Sequence, residues 1–397
     1  MHSRSIVFPP IDPADLETRP IERARTIPAD WYVDPRFHHL DREHVLARSW
    51  QLVGHTSQLP EPGSLFCLTA AGEPILVVRG DDGKVRGFFN VCRHRGGPLA
   101  LRDEKVSVLR CHYHGWTYGL DGHLRGVPDM AGTEEFARED FGLVPVDLVE
   151  WEGLVFVRLD GASVGAVASP LHRSPMASLV DQPHPMLDRS PHEAFADIPP
   201  RIAPMKLSVS SFVRRVRYSI GCNWKVYVDN YLEGYHLPIV HPELCKLLDY
   251  RRYVTELSEL CSLQFSPFLD AGAENLYGAA DGRAFYYFLW PNAMLNILPG
   301  RVQINRVLPL AHDRTEVHFD YFYEDVSTQQ ARARIEADIE YSDRIQQEDV
   351  EICELVQQRL GSRAYREGRF SAKRESGVHH FQNLLRAAYA RAMEERR

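Results

Sequence analysis

Four residues in the first third of the chain have the types and spacing of a metal site. One residue separates Cys92 from His94, and two residues separate Cys111 from His114. Sixteen residues lie between the two pairs. Two thiolates and two imidazoles can bind zinc tetrahedrally. They can also hold a [2Fe–2S] cluster, with the cysteines on one iron and the histidines on the other.

The residues beside these ligands favour the cluster over zinc. The single residue between Cys92 and His94 is a shorter spacer than the two to four residues that are usual in zinc sites. Tyr113 offers a hydroxyl that we expect to lie near a thiolate and to tune the potential of the cluster. Glycines stand where backbone N–H groups can approach bridging sulfides closely, at Gly96, Gly97 and Gly115.

A second group of candidate ligands lies near the middle of the chain. Glu233 and His236 are three residues apart, and His241 follows five residues later. The pattern predicts a helix over residues 224–237, on which Asp229, Glu233 and His236 share one face. A proline should end that helix, so that the chain turns back and His241 meets His236. Two histidines and one carboxylate form the facial triad that binds non-haem Fe(II).

The origin of the carboxylate in this triad is open from the local pattern. Glu233 and His236 also match the Glu-x-x-His motif of di-iron bundles, but that architecture needs two copies, and the chain has no second copy. A long amphipathic helix is predicted over residues 327–360, and it carries Glu348 and Asp349. An acidic run on a helix is most often a solvated face, although apolar residues follow Asp349 here.

Both groups of residues resemble those of one enzyme family. The Cys–His loops resemble the Rieske domain of ring-hydroxylating oxygenases. Respiratory Rieske loops carry two further cysteines that form a disulfide, whereas Gly97 and Tyr113 stand at those positions here. The stretch over residues 223–242 resembles the mononuclear iron site of the α subunits. Its Asp-Asn-Tyr-Leu-Glu-Gly-Tyr-His sequence is more similar to the choline, carnitine and betaine monooxygenase branch than to the naphthalene-type dioxygenases.

The resemblance implies two cofactors, a Rieske [2Fe–2S] cluster on the Cys–His pairs and a mononuclear Fe(II). The iron ligands would be His236, His241 and Asp349, with Glu348 as the fallback for Asp349. Glu233 would link His236 to a cluster histidine of the neighbouring subunit, which implies a homotrimer. The chain has no Gly-x-Gly-x-x-Gly motif for a nicotinamide or flavin cofactor. We therefore expect a separate NAD(P)H-dependent reductase with flavin or iron–sulfur groups.

The spacing of strands and helices indicates an α+β fold. Short strands joined by Asp-Gly turns predict antiparallel hairpins in the first half of the chain, and we expect a Rieske β domain over residues 46–160. Residues 161–397 would form the catalytic domain, an antiparallel sheet flanked by helices in a helix-grip, START-like arrangement. Residues 1–45 would be a helical segment that packs on the catalytic domain. Gly361 is the expected end of the long helix.

Length, composition and charge exclude several classes of protein. The chain has 397 residues, of which 44% are hydrophobic and 25% charged, as in globular proteins. Its net charge of −8 disfavours nucleic acid binding. It has neither a run of about 18 apolar residues nor an apolar signal core at its start, so we expect no membrane span and a cytoplasmic location. Seven cysteines are too few for a disulfide scaffold. Residues 161–200 read as a loop.

The substrate is the least determined part of the prediction. Residues 286–298 are rich in aromatic side chains, which either line a pocket or pack in the core. Aromatic faces bind quaternary ammonium groups through cation–π contacts. We expect hydroxylation or N-demethylation of a small quaternary ammonium or betaine compound. The alternatives are an aromatic or heteroaromatic ring hydroxylase, dioxygenase or O-demethylase and, more remotely, a non-catalytic Rieske electron carrier or a zinc-structured binding protein.

Overall fold

A computed structural model describes residues 8–160, 186–246, 249–267 and 283–396. The chain divides into two compact units. The first comprises the described residues of 47–183, and the second comprises those of 1–46 and 184–397. Residues 161–185 of the predicted loop lie outside the described residues. The described part of that loop contains the short helix Pro191–Ala194 and the start of a second, Ile198–Ile202.

The first unit is built from antiparallel strands. Seven strands form one sheet in the order β1-β10-β9-β4-β3-β2-β5, and three short strands form a second in the order β6-β7-β8. The hairpins predicted at Asp-Gly turns are confirmed: β3 pairs with β4 on either side of Asp82-Gly83, and β7 pairs with β8 on either side of Asp121-Gly122. The strands are β1 (Gln51–His55), β2 (Ser64–Ala70), β3 (Glu73–Arg79), β4 (Val85–Phe89), β5 (Glu104–Lys105), β6 (Leu109–Arg110), β7 (Thr117–Tyr118), β8 (Leu124–Gly126), β9 (Pro145–Trp151) and β10 (Leu154–Arg158).

The core of the first unit extends to the sulfur-bearing loops. Inward-facing residues of the strands, such as Leu76 and Phe88, belong to the same buried cluster as Cys92, Cys111 and Trp116. Burial of each large apolar side chain contributes about 1.5–3 kcal/mol. The loops that carry the candidate ligands are therefore anchored to a packed sheet.

The second unit is a seven-stranded antiparallel sheet in the order β11-β17-β16-β15-β14-β13-β12. Its strands are β11 (Ser211–Ile220), β12 (Val254–Leu257), β13 (Cys261–Pro267), β14 (Arg283–Leu289), β15 (Ala293–Leu298), β16 (Arg301–Ala311) and β17 (Arg314–Tyr323). These strands confirm the antiparallel sheet expected within residues 161–397. With the first unit, this sheet confirms the predicted α+β class.

Helices accompany the second sheet, and a π-helical turn follows the second of them over Asp41–Leu46. They are α1 (Asp30–Val33), α2 (Pro35–Leu40), α3 (Pro191–Ala194), α4 (Ile198–Ile202), α5 (Trp224–Tyr231), α6 (Leu237–Val240), α7 (Gln329–Leu360) and α8 (Ser376–Glu394). Within the part of the chain that the structure describes, none of these helices is both long and apolar enough to span a bilayer.

The long helix α7 begins and ends close to the predicted bounds, and Gly361 caps its C-terminus. The apolar stripe expected of an amphipathic helix is confirmed at Ile335 and Ile339, which are buried. It does not continue to Leu355 and Val356, which are 43% and 40% exposed. Polar residues such as Gln346 are buried with the apolar ones, so the buried face of α7 is mixed.

A buried carboxylate joins three elements of the second unit. Asp41, at the start of the π-helical turn, accepts hydrogen bonds from Trp224 Nε1 at 2.8 Å and from Lys225 Nζ. The Tyr389 hydroxyl of α8 donates to its other oxygen. Asp41 and Lys225 are both fully buried, and removal of one member of such a pair leaves an uncompensated charge in the core.

We therefore expect Asp41→Asn to lower the free energy of unfolding by about 3–5 kcal/mol. Urea denaturation followed by tryptophan fluorescence measures the change. The double variant Asp41→Asn/Lys225→Met removes the orphaned ammonium and should recover part of the loss. Asp30→Asn, at an exposed position in α1, is the control. An Asp41→Asn protein as stable as the wild type would show that the pair does not stabilise the fold.

Candidate active site

Two loops of the first unit have the same backbone construction. The Gly96 N–H donates to the Cys92 carbonyl at 3.0 Å, and the Gly115 N–H donates to the Cys111 carbonyl at 3.1 Å. Both glycines have positive φ, at 72° and 73°, which side-chain-bearing residues rarely adopt. Each loop therefore reverses within five residues and holds its cysteine at the same place in the turn.

The predicted cluster residues lie together at the ends of these loops. Cys92 and Cys111 are buried, and burial raises the pKa of the Cys92 thiol. The rings of His94 and His114 are 4.7 Å apart, and His94 stacks on Trp116 at 4.8 Å. His94 Nδ1 is buried and has no hydrogen-bond partner among the described residues. A buried imidazole nitrogen without a partner, beside two thiols, fits a metal ligand.

Gly97 leaves no room for a side chain between the loops. A Cβ at this position would lie 2.8 Å from Cys111 Sγ and 2.9 Å from Tyr113 Cβ. The seven cysteines are free thiols in the structure. Gly97 and Tyr113, the positions of the respiratory disulfide, lie side by side, and no disulfide can join them because neither is a cysteine.

The tyrosine whose hydroxyl reaches a thiol is Tyr118, so the expectation for Tyr113 is wrong. The Tyr118 hydroxyl lies 3.2 Å from Cys92 Sγ and accepts a hydrogen bond from the Arg93 N–H at 3.0 Å. Tyr113 is 58% exposed, and only its backbone N–H approaches a thiol, Cys111 Sγ at 3.4 Å. The alternation of Trp116 and Tyr118 along a strand could have revealed the inward position of Tyr118.

The three predicted iron ligands meet in the second unit. One ligand atom from each of His236, His241 and Asp349 lies within 4.8 Å of the other two. Asp349 Oδ1 is 2.9 Å from His241 Nε2 and 3.8 Å from His236 Nε2. Two imidazoles and one carboxylate around one point are the donor set of non-haem Fe(II).

The local chain path around the histidines differs from the predicted single helix. Helix α5 ends at Tyr231, and the short helix α6 has His236 as its N-cap and His241 as its C-cap. The break occurs because the Glu233 carboxylate accepts the backbone N–H of Tyr235 and, at 3.1 Å, that of His236. Side-chain acceptors of this kind compete with the helical hydrogen-bond pattern.

This break separates Asp229 from the other acidic residues of the segment. Asp229 is not on a common face with His236. Its Oδ2 atom accepts hydrogen bonds from the Tyr32 hydroxyl at 2.6 Å and from Gln382 Nε2 at 3.1 Å. Burial raises its pKa to about 7. Asp229 thus ties α5 to its surroundings and lies outside the candidate metal centre.

A carboxylate holds the outer nitrogen of each candidate histidine. Glu233 Oε1 is 2.7 Å from His236 Nδ1, and Glu348 Oε2 is 2.6 Å from His241 Nδ1. The Nε2 atoms of both rings therefore point to Asp349. Such outer carboxylates fix the tautomer and orientation of metal-binding histidines. Glu348, the fallback ligand, lies behind His241, and Asn230 Nδ2 donates to Asp349 Oδ1 at 2.7 Å.

A cavity of about 140 Å³ opens beside these residues. Phe319 and several tyrosines line it together with polar residues of β15, β16 and α7. The hydroxyl of Tyr231 donates to Asn296 Oδ1 at 2.7 Å, and that of Tyr253 donates to Gln264 Oε1 at 2.8 Å. Burial raises the pKa of both hydroxyls, so they stay protonated at neutral pH. The tyrosines are Tyr227, Tyr231, Tyr253, Tyr286 and Tyr341.

The aromatic stretch over residues 286–298 contributes to both the cavity and the core. Tyr286, Asn296 and Leu298 line the cavity, whereas Leu289 and Leu295 are fully buried. Successive residues of β14 and β15 face opposite sides of the sheet. The two interpretations of this stretch therefore each describe part of it.

Both units match known domain families. Residues 49–137 match the Rieske [2Fe-2S] domain, and residues 210–391 match the catalytic domain of ring hydroxylating α subunits. Choline monooxygenase of Arabidopsis thaliana is 34% identical over 97% of this chain and 89% of its own length. The carnitine monooxygenase oxygenase subunit of Escherichia coli (strain K12) is 32% identical, over 92% of this chain and 94% of its own.

Solved structures are similar over nearly the whole chain. The quaternary ammonium Rieske monooxygenase CntA has a TM-score of 0.78 at 25% identity, covering 94% of this chain and 99% of its own. Naphthalene 1,2-dioxygenase from Rhodococcus sp. has a TM-score of 0.68 at 19% identity, covering 91% and 94%, and shows the common fold. The chain belongs to the Rieske non-haem iron oxygenases, as an oxygenase α subunit with a [2Fe–2S] cluster and a mononuclear iron site.

Proposed function

We propose that this oxygenase hydroxylates or N-demethylates a small quaternary ammonium compound with O₂. The observation that carries the proposal is the meeting of His236, His241 and Asp349 at the wall of a cavity lined by tyrosines. Aromatic rings attract a quaternary ammonium group. The relatives named for choline and carnitine oxidation support the same class of substrate.

Two sets of residues would hold the cofactors in this proposal. Cys92, His94, Cys111 and His114 would bind the [2Fe–2S] cluster. His236, His241 and Asp349 would bind the iron and leave its other positions open. When bound, the cluster supplies single electrons and the iron supplies the sites at which O₂ is activated beside the substrate.

The residues around the iron ligands fix the orientation of those ligands. Glu233 and Glu348 accept the Nδ1 protons of the two histidines, which keeps each Nε2 atom unprotonated and directed inward. Asn230 restrains the Asp349 carboxylate. The hydrogen-bonded tyrosines keep their rings fixed around the substrate, and the apolar part of the wall excludes water from it.

We extend the proposal to the assembly and its electron supply. A separate NAD(P)H-dependent reductase would reduce the cluster, and a homotrimer would bring the cluster of one subunit to Glu233 of the next. The solved structure of CntA, which is described in terms of inter-subunit electron transfer, supports this arrangement. The cytoplasmic location and the domain ranges 1–45, 46–160 and 161–397 belong to the same proposal, and the family matches within the latter two ranges support them.

A substrate panel with a surrogate reductase tests this function. Choline, betaines, carnitine-like compounds and single-ring aromatics are compared by O₂ uptake, formaldehyde release and product analysis. We expect coupled O₂ uptake with trimethylammonium compounds. Coupled turnover of aromatic compounds alone would instead identify a ring hydroxylase, and zinc without a Rieske EPR signal would exclude the oxygenase.

Asp349→Ala should remove the mononuclear iron and leave the visible spectrum of the cluster intact. Iron should fall from about three to about two atoms per chain, and turnover should be lost. Metal analysis and EPR measure both. Glu351→Ala changes an exposed acid on the same helix and should retain iron and activity. Retained activity in Asp349→Ala would show that another group is the third ligand.

Glu233→Gln should retain both metal centres but slow the oxidation of the reduced cluster at least about tenfold, because the amide is a poorer acceptor for both histidines. Single-turnover stopped-flow mixing with substrate and O₂ measures this rate. Glu348→Gln is the matched comparison, since Glu348 supports His241 in the same way without a bridging role. Any slowing in this variant measures the loss of support for an iron ligand, and Glu233→Gln should be slower still. An unchanged rate in Glu233→Gln would exclude the bridging role.

Tyr118→Phe should lower the reduction potential of the cluster by about 40–60 mV, which corresponds to one lost hydrogen bond of roughly 1 kcal/mol to a sulfur in a one-electron couple. A hydrogen bond to sulfur stabilises the more negative, reduced state. Tyr113→Phe removes the exposed hydroxyl and should leave the potential unchanged. Equal potentials in both variants would show that the Tyr118 hydroxyl does not act on the cluster.

A further inference from the structure

Helix α7 lines the cavity from Tyr341 to Asp349. Distances along its axis therefore measure depth within the cavity. Residues three, four and seven positions apart lie on one face of a helix. Ser342 lies seven residues before Asp349, which at 1.5 Å per residue is about 10 Å along the helix axis. The cavity-lining residues of α7 follow this spacing: Tyr341, Ser342, Ile345, Gln346 and Asp349.

An arginine lies at the end of the cavity that is remote from the candidate iron ligands. Arg301 lines the cavity, and its Nη1 donates to Asp338 Oδ1 at 2.6 Å. Its Nη2 donates to Gln303 Oε1, which also accepts from Ser342 Oγ at 3.5 Å. Asp338 precedes Ser342 by one turn of α7, about 16 Å along the axis from Asp349. The guanidinium therefore lies at the level of Ser342 and Asp338, far from the iron end.

The arginine is held in a fixed position by groups behind it. Asp338 is buried and does not line the cavity, and its second oxygen accepts from the Tyr323 hydroxyl at 2.6 Å. Arg301 itself is only 6% exposed. The pair therefore presents its positive member to the cavity. Among the described residues that line the cavity, Arg301 is the one cation.

We propose that Arg301 binds a carboxylate of the substrate and so makes a betaine, rather than an amino alcohol, the preferred class. This inference rests on the proposed function. A guanidinium recognises a carboxylate through paired N–H donors in a fixed fork. With the carboxylate on Arg301 and the ammonium among the tyrosines, a methyl group or neighbouring carbon reaches the iron end. A site built for a charged group discriminates strongly against an analogue that lacks it.

The depth of the cavity also sets a requirement on the length of the substrate. Because about 10 Å or more of helix separates Asp349 from the level of Arg301, a compound that spans both ends must keep its two charged groups apart. Betaines with three or four carbons between ammonium and carboxylate fit this span better than betaines with one. Choline has no group that can use the arginine.

Kinetics and binding with a graded series of substrates test the inference. The series contains trimethylammonium carboxylates with one to four intervening carbons, and choline. We expect the wild type to have its highest kcat/KM among the longer carboxylates. Arg301→Gln should raise KM and Kd for these about 10- to 100-fold, as expected for one charge-assisted interaction. Because Arg301→Gln alone removes the cationic partner of the buried Asp338, Arg301→Gln/Asp338→Asn is measured beside it. In both variants kcat should change far less, and KM for choline should rise much less than KM for the longer carboxylates.

Two further variants separate recognition from folding. Arg301→Lys retains the charge but not the fork, and it should keep part of the affinity for carboxylates. Arg214→Gln breaks an exposed ion pair between β11 and Glu336 of α7 and should leave every constant unchanged. The visible spectrum of the cluster and calorimetric titration with the longest carboxylate report on each protein independently of turnover.

The outcomes distinguish this inference from the proposed function. A wild type that oxidises choline in preference to every carboxylate overturns the inference and leaves the function standing. An equal rise in KM for choline and carboxylates in Arg301→Gln also overturns it, since that result indicates a structural role. A wild type that oxidises none of the series overturns the function as well.

Discussion

The proposed iron site depends on a constraint of imidazole chemistry. A neutral imidazole has one nitrogen that carries a proton and one that can bind a metal, so the proton must be held on the outer atom. Glu233 and Glu348 do this for His236 and His241 through contacts of 2.7 and 2.6 Å. The rest of the second unit brings these four side chains, from two separate stretches of chain, to one point.

The long helix α7 and the sheet position these side chains, and they also form the wall of the cavity. Polar side chains of α7 face inward because they line a cavity, and tyrosines of the facing elements complete its wall. Burying so many polar groups is costly unless each is hydrogen-bonded. The contacts of Tyr231, Tyr253 and Arg301 with neighbouring side chains meet this requirement for those three residues. Tyr341 Oη and Gln346 Nε2 are buried without a hydrogen-bond partner among the described residues.

Local spacing predicted more of this site than of its surroundings. The two Cys–His pairs and the long helix could be predicted from short-range signals, namely Cys–His spacing and a capping Gly361. Asp349 came instead from the resemblance to the oxygenase family, because the local pattern left the third ligand open. The break after Tyr231 could not, since it depends on the Glu233 side chain competing for backbone N–H groups. The apolar stripe of α7 holds at Ile335 and Ile339 but not at Leu355 and Val356. Periodicity assumes that buried faces are apolar, and this fails where polar side chains such as Gln346 point inward. Tyr113 was chosen for its proximity in sequence, whereas strand geometry brings Tyr118 to the thiol.

One helix, α7, carries the candidate iron ligand Asp349, part of the cavity wall and the acid of the far ion pair, Asp338. This arrangement affects how such enzymes can diverge. Asp349, Ser342 and Asp338 lie at successive positions along the axis of α7. The position of Asp338, which pairs with Arg301, sets how far the polar end of the cavity lies from Asp349. Moving that pair by one turn would change the usable depth by about 5.4 Å without touching the metal end. Under the proposed function, substrate length and iron chemistry would therefore be altered by separate substitutions, one set at the pair between α7 and β16 and the other at the iron ligands.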